Sequence, residues 1–172
     1  AQVLAEAGAA GLVFGVLDSD GRIDRRRASL LMELVRPLPV TFHRAFDLSR
    51  DLEESLEVLL EVGVDRVLTS VGQARVIDGL DHLSALIERA GDKMVVMPAG
   101  GIRPHNILEV VAVPGVTEVH IGATRTRASS MNYHRAGVPM GSAYEPDEYV
   151  VQVADIDMIT FMKSTMAETS GG

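Results

Sequence analysis

The stretch from Val40 to Ser70, VTFHRAFDLSRDLEESLEVLLEVGVDRVLTS, reads as one complete strand–helix–strand unit. Val40 to Phe46 is a β-favouring run. Val40 and Phe42 share one face and Thr41 and His43 the other, because strand side chains alternate. A helix follows from about Leu52 to Glu61 and is closed by Gly63, the residue type that most readily turns left-handed after a helix. Arg66 to Ser70 then returns to a strand. A helical crossover between two strands is the mark of a parallel pair.

The same rhythm runs outward in both directions. Upstream, Gly11 to Leu17 is a nearly continuous apolar run, as expected of a strand covered on both faces. Asp18-Ser19-Asp20-Gly21 makes a turn, and a helix from about Asp24 to Val35 presents Ala28, Leu31 and Val35 before Pro37 and Pro39 end it. Downstream, a helix passes through Ile77, Leu80, Leu83 and Ile87, and a fourth strand, Met94 to Met97, runs into Pro98-Ala99-Gly100-Gly101-Ile102-Arg103. Pro104 suits the first turn of the next helix. Glu118 to Gly122 is the fifth strand, and a last helix carries Ile159, Met162 and Met166 on one side.

Strand–helix units therefore recur roughly every 25 residues, which predicts an α/β fold with a parallel sheet. An open doubly wound sheet and a (β/α)8 TIM barrel both fit, but no Gly-x-Gly-x-x-Gly follows the first strand, which weakens a dinucleotide site. The expectation is a barrel-type fold with about five βα units, hence incomplete, since a whole barrel takes about 250 residues. With 172 residues, 47% hydrophobic and 23% charged, the chain reads as a single domain over 1–172. Within it, 124–155 is expected as a long polar loop and 168–172 as a flexible tail.

A net charge of −8 argues against nucleic acid or an anionic membrane surface as the main partner. No cysteine is present, so there is no disulfide, thiolate ligand or cysteine nucleophile. No apolar run reaches the roughly 18 residues that a membrane span needs. With no signal-peptide pattern either, the expected compartment is the cytoplasm.

In α/β architectures function gathers at the carboxyl ends of the strands. His43, Arg44 and Asp47 fall there and are the candidate catalytic residues. A histidine, a guanidinium and a carboxylate can together manage general acid–base chemistry, anion binding or metal ligation. They can equally form an internal ion pair beside a hydrogen-bonded histidine. His120 repeats the logic, since Val119 and Ile121 leave it on the inward face. His43 and His120 are therefore candidate metal ligands, imidazole suiting copper, zinc, iron or nickel. Gly100, Gly101 and Arg103 are candidates for anion binding at a strand-to-helix junction, though a tight turn also needs glycine. Asp18 to Gly21 resembles a calcium-loop fragment but reads as turn chemistry. Met158, Met162 and Met166 read as a core stripe, and Arg125, Arg127, His134 and Arg135 as a basic loop by the mouth.

Gly11–Asp18, Val40–Asp47, Val67–Ser70, Met97–Arg103 and Glu118–His120, in this order and spacing, resemble the copper homeostasis protein CutC family, the Thr-Phe-His-Arg-Ala-Phe-Asp string most specifically. Departures are Val71 and Ala99, where the family tends to have glycine, and Gly122, where it often has a small hydroxyl residue. The resemblance implies a (β/α)8-type barrel, a cytoplasmic protein, copper handling, and five strands corresponding to the fourth to eighth. It also implies that cysteines proposed as copper ligands in some members would lie in the first three units. The leading expectation is copper ion binding at the barrel mouth. The alternative is a barrel enzyme, isomerase- or lyase-like, acting on a small anionic or phosphorylated ligand. Open sheet edges make a homo-oligomer an expected form.

Overall fold

The structure is a computed structural model that describes residues 2–135, 137–138 and 149–169. Four short strands, β1 (Leu12–Phe14), β2 (Val40–Phe42), β3 (Arg66–Thr69) and β4 (Val95–Pro98), form one sheet in the order β1-β2-β3-β4, every pair parallel. Parallel strands added in one direction through right-handed crossovers put all their helices on one face. A doubly wound sheet would reverse direction part-way. The sequential order is therefore the winding of a (β/α) barrel.

After a short opening helix α1 (Gln2–Glu6), the helices α2 (Arg25–Val35), α3 (Leu52–Val62) and α4 (Leu80–Ala90) form that outer layer, α2 packing on α3 and α3 on α4. Their ends follow the local chemistry. The Asp24 carboxylate accepts the Arg27 N–H at the start of α2, and Asp51 accepts the Glu53 and Glu54 N–H groups at the start of α3. Gly63 closes α3 with φ +81°. Under the helices the register aligns Phe14 with Phe42, Phe42 with Val67 and Val67 with Val96. Phe42, Val67, Leu56, Leu59 and Leu83 are fully buried there. Burying each such side chain contributes about 1.5–3 kcal/mol.

The opposite, inner face aligns Val13, Thr41, Arg66 and Val95 in one layer. Among the described residues no helix covers it, and Val13 stands 65% exposed.

Several elements depart from the sequence expectation. The second strand ends at Phe42 instead of Phe46, because a 3-10 segment (Arg44–Leu48) starts immediately beyond it. The fifth strand is reduced to one parallel bridge, His120 with Ala99, supported by the His120 N–H on the Pro98 carbonyl. Pro104 to Asn106 forms a turn, and the helix expected from Pro104 begins at Ile107 (α5, Ile107–Val111). Asn106 accounts for the delay, its Oδ1 accepting the Arg103 N–H while its Nδ2 donates to the Gly101 carbonyl.

Within 124–155, read from sequence as a loop, β5 (Thr124–Ala128) pairs antiparallel with β6 (Val150–Ala154). Residues 136 and 139–148 of that stretch, and 170–172 of the expected tail, lie outside the described residues. The last helix, α6 (Ile156–Thr169), packs on α5 and buries Met162, with Met158 and Met166 half-buried beside it. That is the core stripe the methionine spacing predicts.

Candidate functional site

Every candidate residue emerges at the carboxyl ends of the strands. His43 follows β2 directly, its N–H bonded to the Phe14 carbonyl of β1. Its ring caps the 3-10 segment, Nδ1 accepting the Ala45 N–H at 3.0 Å. An imidazole that accepts at Nδ1 carries its proton, when neutral, on Nε2. The ring lies over Gly15, where a Cβ would come within 2.2 Å of it. Glycine in an otherwise apolar strand is the sequence signal for such a close approach.

Asp47 is the centre of the cluster. Its side chain is 6% exposed and gathers donors from three segments. Arg44 Nε donates to Oδ2 at 2.6 Å and the Thr69 hydroxyl to Oδ1 at 2.5 Å. The Ser70 N–H reaches both oxygens at 3.0 Å, and the Gly72 N–H reaches Oδ1 at 3.2 Å. Burial alone pushes this carboxyl's pKa up. The donations from Thr69, Arg44, Ser70 and Gly72 outweigh burial and hold it below the ordinary aspartate value. Asp47 is thus a fixed anion that ties the 3-10 segment to the loop after β3 and sets the guanidinium of Arg44 in place. Arg44 Nη2 donates onward to the Ser70 hydroxyl.

Thr69 and Ser70, both fully buried, belong to this machinery, although the sequence reading did not single them out. Two hydroxyl residues closing an apolar strand were the available signal. Val71 completes the turn with φ +54°, a conformation that a β-branched residue rarely adopts. Its N–H is taken by the Thr69 hydroxyl and its side chain lies against Gly79.

Gly100 and Gly101 lie at the end of β4 with φ of +89° and +71°. A Cβ on Gly100 would stand 3.1 Å from Ser70 Cβ and 3.5 Å from Arg44 Nη1, so the glycine turn adjoins the arginine cluster. Arg103 is exposed, and its Nη1 turns back onto the Ile102 carbonyl. The structure therefore brings His43, Arg44, Asp47 and Gly100 to one corner of the mouth, with Arg103 at its edge.

His120 stands apart from that corner. It is exposed on the inner face, three strand positions from His43, or about 14 Å along the sheet. What holds its segment is a pair the sequence reading missed. Arg66 donates twice to the Glu118 carboxylate, at 2.5 Å each, and its third nitrogen reaches Thr41. This two-pronged bond raises the Arg66 pKa and locks the 118–122 segment against β3. Among the described residues no group of three or more His, Cys, Asp or Glu side chains is arranged to hold a metal ion. Two clefts lie elsewhere, one of about 230 Å³ at Asp18, Arg22, Arg50 and Glu54, the other of about 430 Å³ at Ile87, Asp92, Met94 and Thr117. Asp18 there accepts the Asp20 and Arg22 N–H groups, which is turn chemistry, as its sequence suggests. No helix among the described residues is long and apolar enough to cross a membrane.

A singly wound parallel sheet with a polar cluster at its carboxyl ends defines a protein of the (β/α)-barrel class. Within that class the chain belongs to the CutC family, whose model matches residues 1–125. It is 44% identical over 152 residues to the copper homeostasis protein cutC homolog of Homo sapiens, an alignment covering 88% of this chain and 56% of that one. It is 38% identical over 165 residues to the family protein CutC of Chromobacterium violaceum, covering 96% and 66% of the two chains. The crystal structure of the copper homeostasis protein CutC from Streptococcus agalactiae superposes with a TM-score of 0.63 at 29% identity, over 67% of this chain and 57% of that one. The chain thus spans between half and two thirds of the length of these relatives.

Proposed function

We propose that this chain serves copper homeostasis and that copper ion engages the carboxyl-end mouth at His43 and, as a separate position, at His120. The family supports the role, its relatives being named for copper homeostasis. The observation that carries the site is that both imidazoles are exposed on the inner face, in a sequence with no cysteine thiolate to offer, and imidazole is a ligand that suits copper. Copper at His43 Nε2 requires the ring proton to move to Nδ1, which releases the Ala45 N–H at a cost of about 1 kcal/mol. Competition for Cu(I) against a chromogenic chelator tests the assignment. Wild-type affinity should fall in both His43→Ala and His120→Ala, and the Ala45 amide resonance should move on copper addition. Unchanged affinity in both variants removes these histidines from the site.

A second reading is favoured by one observation, the arginine side chain fixed by Asp47 at the strand ends. It makes the mouth that of an enzyme acting on a small anionic or phosphorylated substrate. Arg44 holds the anion, His43 carries the proton, and Asp47 positions Arg44. A phosphorylated sugar at millimolar concentration should then raise the melting temperature by binding the native state. A shift with copper alone refutes this reading.

A further inference from the structure

Arg44 uses two of its three guanidinium nitrogens inside the protein, Nε on Asp47 and Nη2 on Ser70. Nη1 has no acceptor among the described residues and lies beside Gly100. The Gly100 N–H faces the His120 carbonyl in the parallel bridge of Ala99 with His120, but the N–H groups of Gly101 and Ile102 find no acceptor among those residues. For Ile102 this is conspicuous, because the residue is 1% exposed and buried N–H groups without a partner are rare. The turn is nonetheless held on both sides, by Asn106 at Gly101 and Arg103 and by the Val76 N–H on the Gly100 carbonyl.

Charge points the same way. The strand-end loops 70–79, 99–106 and 119–129 carry Arg75, Arg103, Arg125 and Arg127 against Asp78 alone, in a chain of net charge −8. Arg75 is neutralised by Asp78, and Arg125 lies 3.9 Å from Asp157. Arg103 has no carboxylate partner among the described residues and bonds only a backbone carbonyl. These loops carry an excess of positive charge in an otherwise acidic chain, and such an excess favours anions.

We infer that Arg44 Nη1 and the unpaired amides of Gly101 and Ile102, beside Gly100, form a binding site for a phosphate-type oxyanion, with Arg103 as its outer cation. The inference rests on the anionic-substrate reading and adds to it the donor set and the ligand class. It transfers the central cation from Arg103, named in the sequence motif, to Arg44, which the fold delivers from a different strand. The helix that follows plays no part, since α5 starts only at Ile107 and is five residues long. A fork with two nitrogens anchored leaves the third aimed without further loss of side-chain freedom, which is the advantage of arginine over lysine at such a place.

The test is a titration of inorganic phosphate into the full chain, followed through backbone amide resonances, with acetate at equal ionic strength as the carboxylate arm. Saturable shifts are expected at Gly101 and Ile102, with phosphate binding more tightly than acetate. Arg44→Gln should weaken phosphate by about tenfold or more, the equivalent of one charge-assisted bond. Arg44→Lys, which keeps the charge and loses the fork, should also weaken it. Arg26→Gln, an exposed position on α2, should leave it unchanged. Wild-type affinity in both Arg44 variants overturns the site, as do shifts that never saturate. Saturation at these amides without turnover of any phosphate ester leaves the site standing and removes the enzymatic reading. Loss of the site, in turn, leaves copper binding at the histidines to be judged by its own competition assay.

Discussion

Asp47→Asn is the most informative single substitution, because it changes charge and almost nothing else at the centre of the cluster. In the wild type the two carboxylate oxygens face only donors, from Arg44, Thr69, Ser70 and Gly72. An asparagine can keep its oxygen toward Thr69, Ser70 and Gly72, but its amide group then points at Arg44 Nε, donor against donor. The surviving bonds lose their charge assistance, which roughly halves each one. The Arg44 contribution is discounted to about 1 kcal/mol, because that side chain is 44% exposed and water takes over its hydrogen bonds. Together the losses come to about 3 kcal/mol at neutral pH.

The pH dependence has a definite sign. Asp47 has a folded-state pKa below its unfolded value, so its contribution is fully present above the unfolded pKa of about 4 and is lost as pH falls through the folded one. Urea unfolding followed by far-UV circular dichroism, at about pH 7 and again stepwise from about pH 5 downward, measures both quantities. The gap between wild type and Asp47→Asn should be near 3 kcal/mol at neutral pH and should narrow in acid, with the urea slope unchanged. A gap below about 1 kcal/mol, or one that does not change with pH, refutes the view of Asp47 as a charged organising centre.

Gly15→Ala places a methyl group within 2.3 Å of the His43 ring and 2.9 Å of Ala45 Cβ, so the ring must leave its cap. A loss of about 1–3 kcal/mol in thermal unfolding is expected, together with a moved His43 resonance, and an unmoved ring contradicts the packing. Val71→Gly relieves a left-handed backbone worth about 1–2 kcal/mol but gives up a fully buried side chain worth about 1.5–3. The net loss should be only about 1 kcal/mol by chemical denaturation, and a loss above about 3 would mean that Val71 carries no strain. The edges of β1 and of the 118–122 segment, which no described strand covers, predict self-association, so sedimentation should find dimers or larger species. A monodisperse monomer would argue that the edges are protected.

The repeating architecture was legible because it depends on patterns local to each unit. Val40 and Phe42 alternate with Thr41 and His43, and Gly63 stops α3 where a glycine is needed. The inward parity of His43 and His120 followed from the same alternation. The boundary of β2 was not legible, since Arg44-Ala45-Phe46 has the composition of a strand. What ends the strand is the His43 ring capping Ala45 and, two residues further on, the Asp47 carboxylate gripped by β3. The Arg66–Glu118 pair, 52 residues apart in sequence, could be seen only once the fold had brought its partners together.

The choice between a metal mouth and an anion mouth turns on which groups are already engaged. At the corner formed by β2, β3 and β4, the carboxylate is saturated with donors and the Nδ1 of His43 is occupied, leaving neither of these two side chains a spare lone pair with which to take a cation. What remains free there is a guanidinium nitrogen and the backbone N–H groups of Gly101 and Ile102, all donors. Donors without acceptors call for an anion. The proposed copper ion binds either at cost to the His43 cap or at His120, on the same face but three strand positions away. The two ligands would thus occupy different parts of one mouth, joined through the backbone of the His43–Asp47 segment. Phosphate held by Arg44 would then leave copper affinity at His120 unchanged while altering it at His43, which a copper titration of His120→Ala with and without phosphate would reveal.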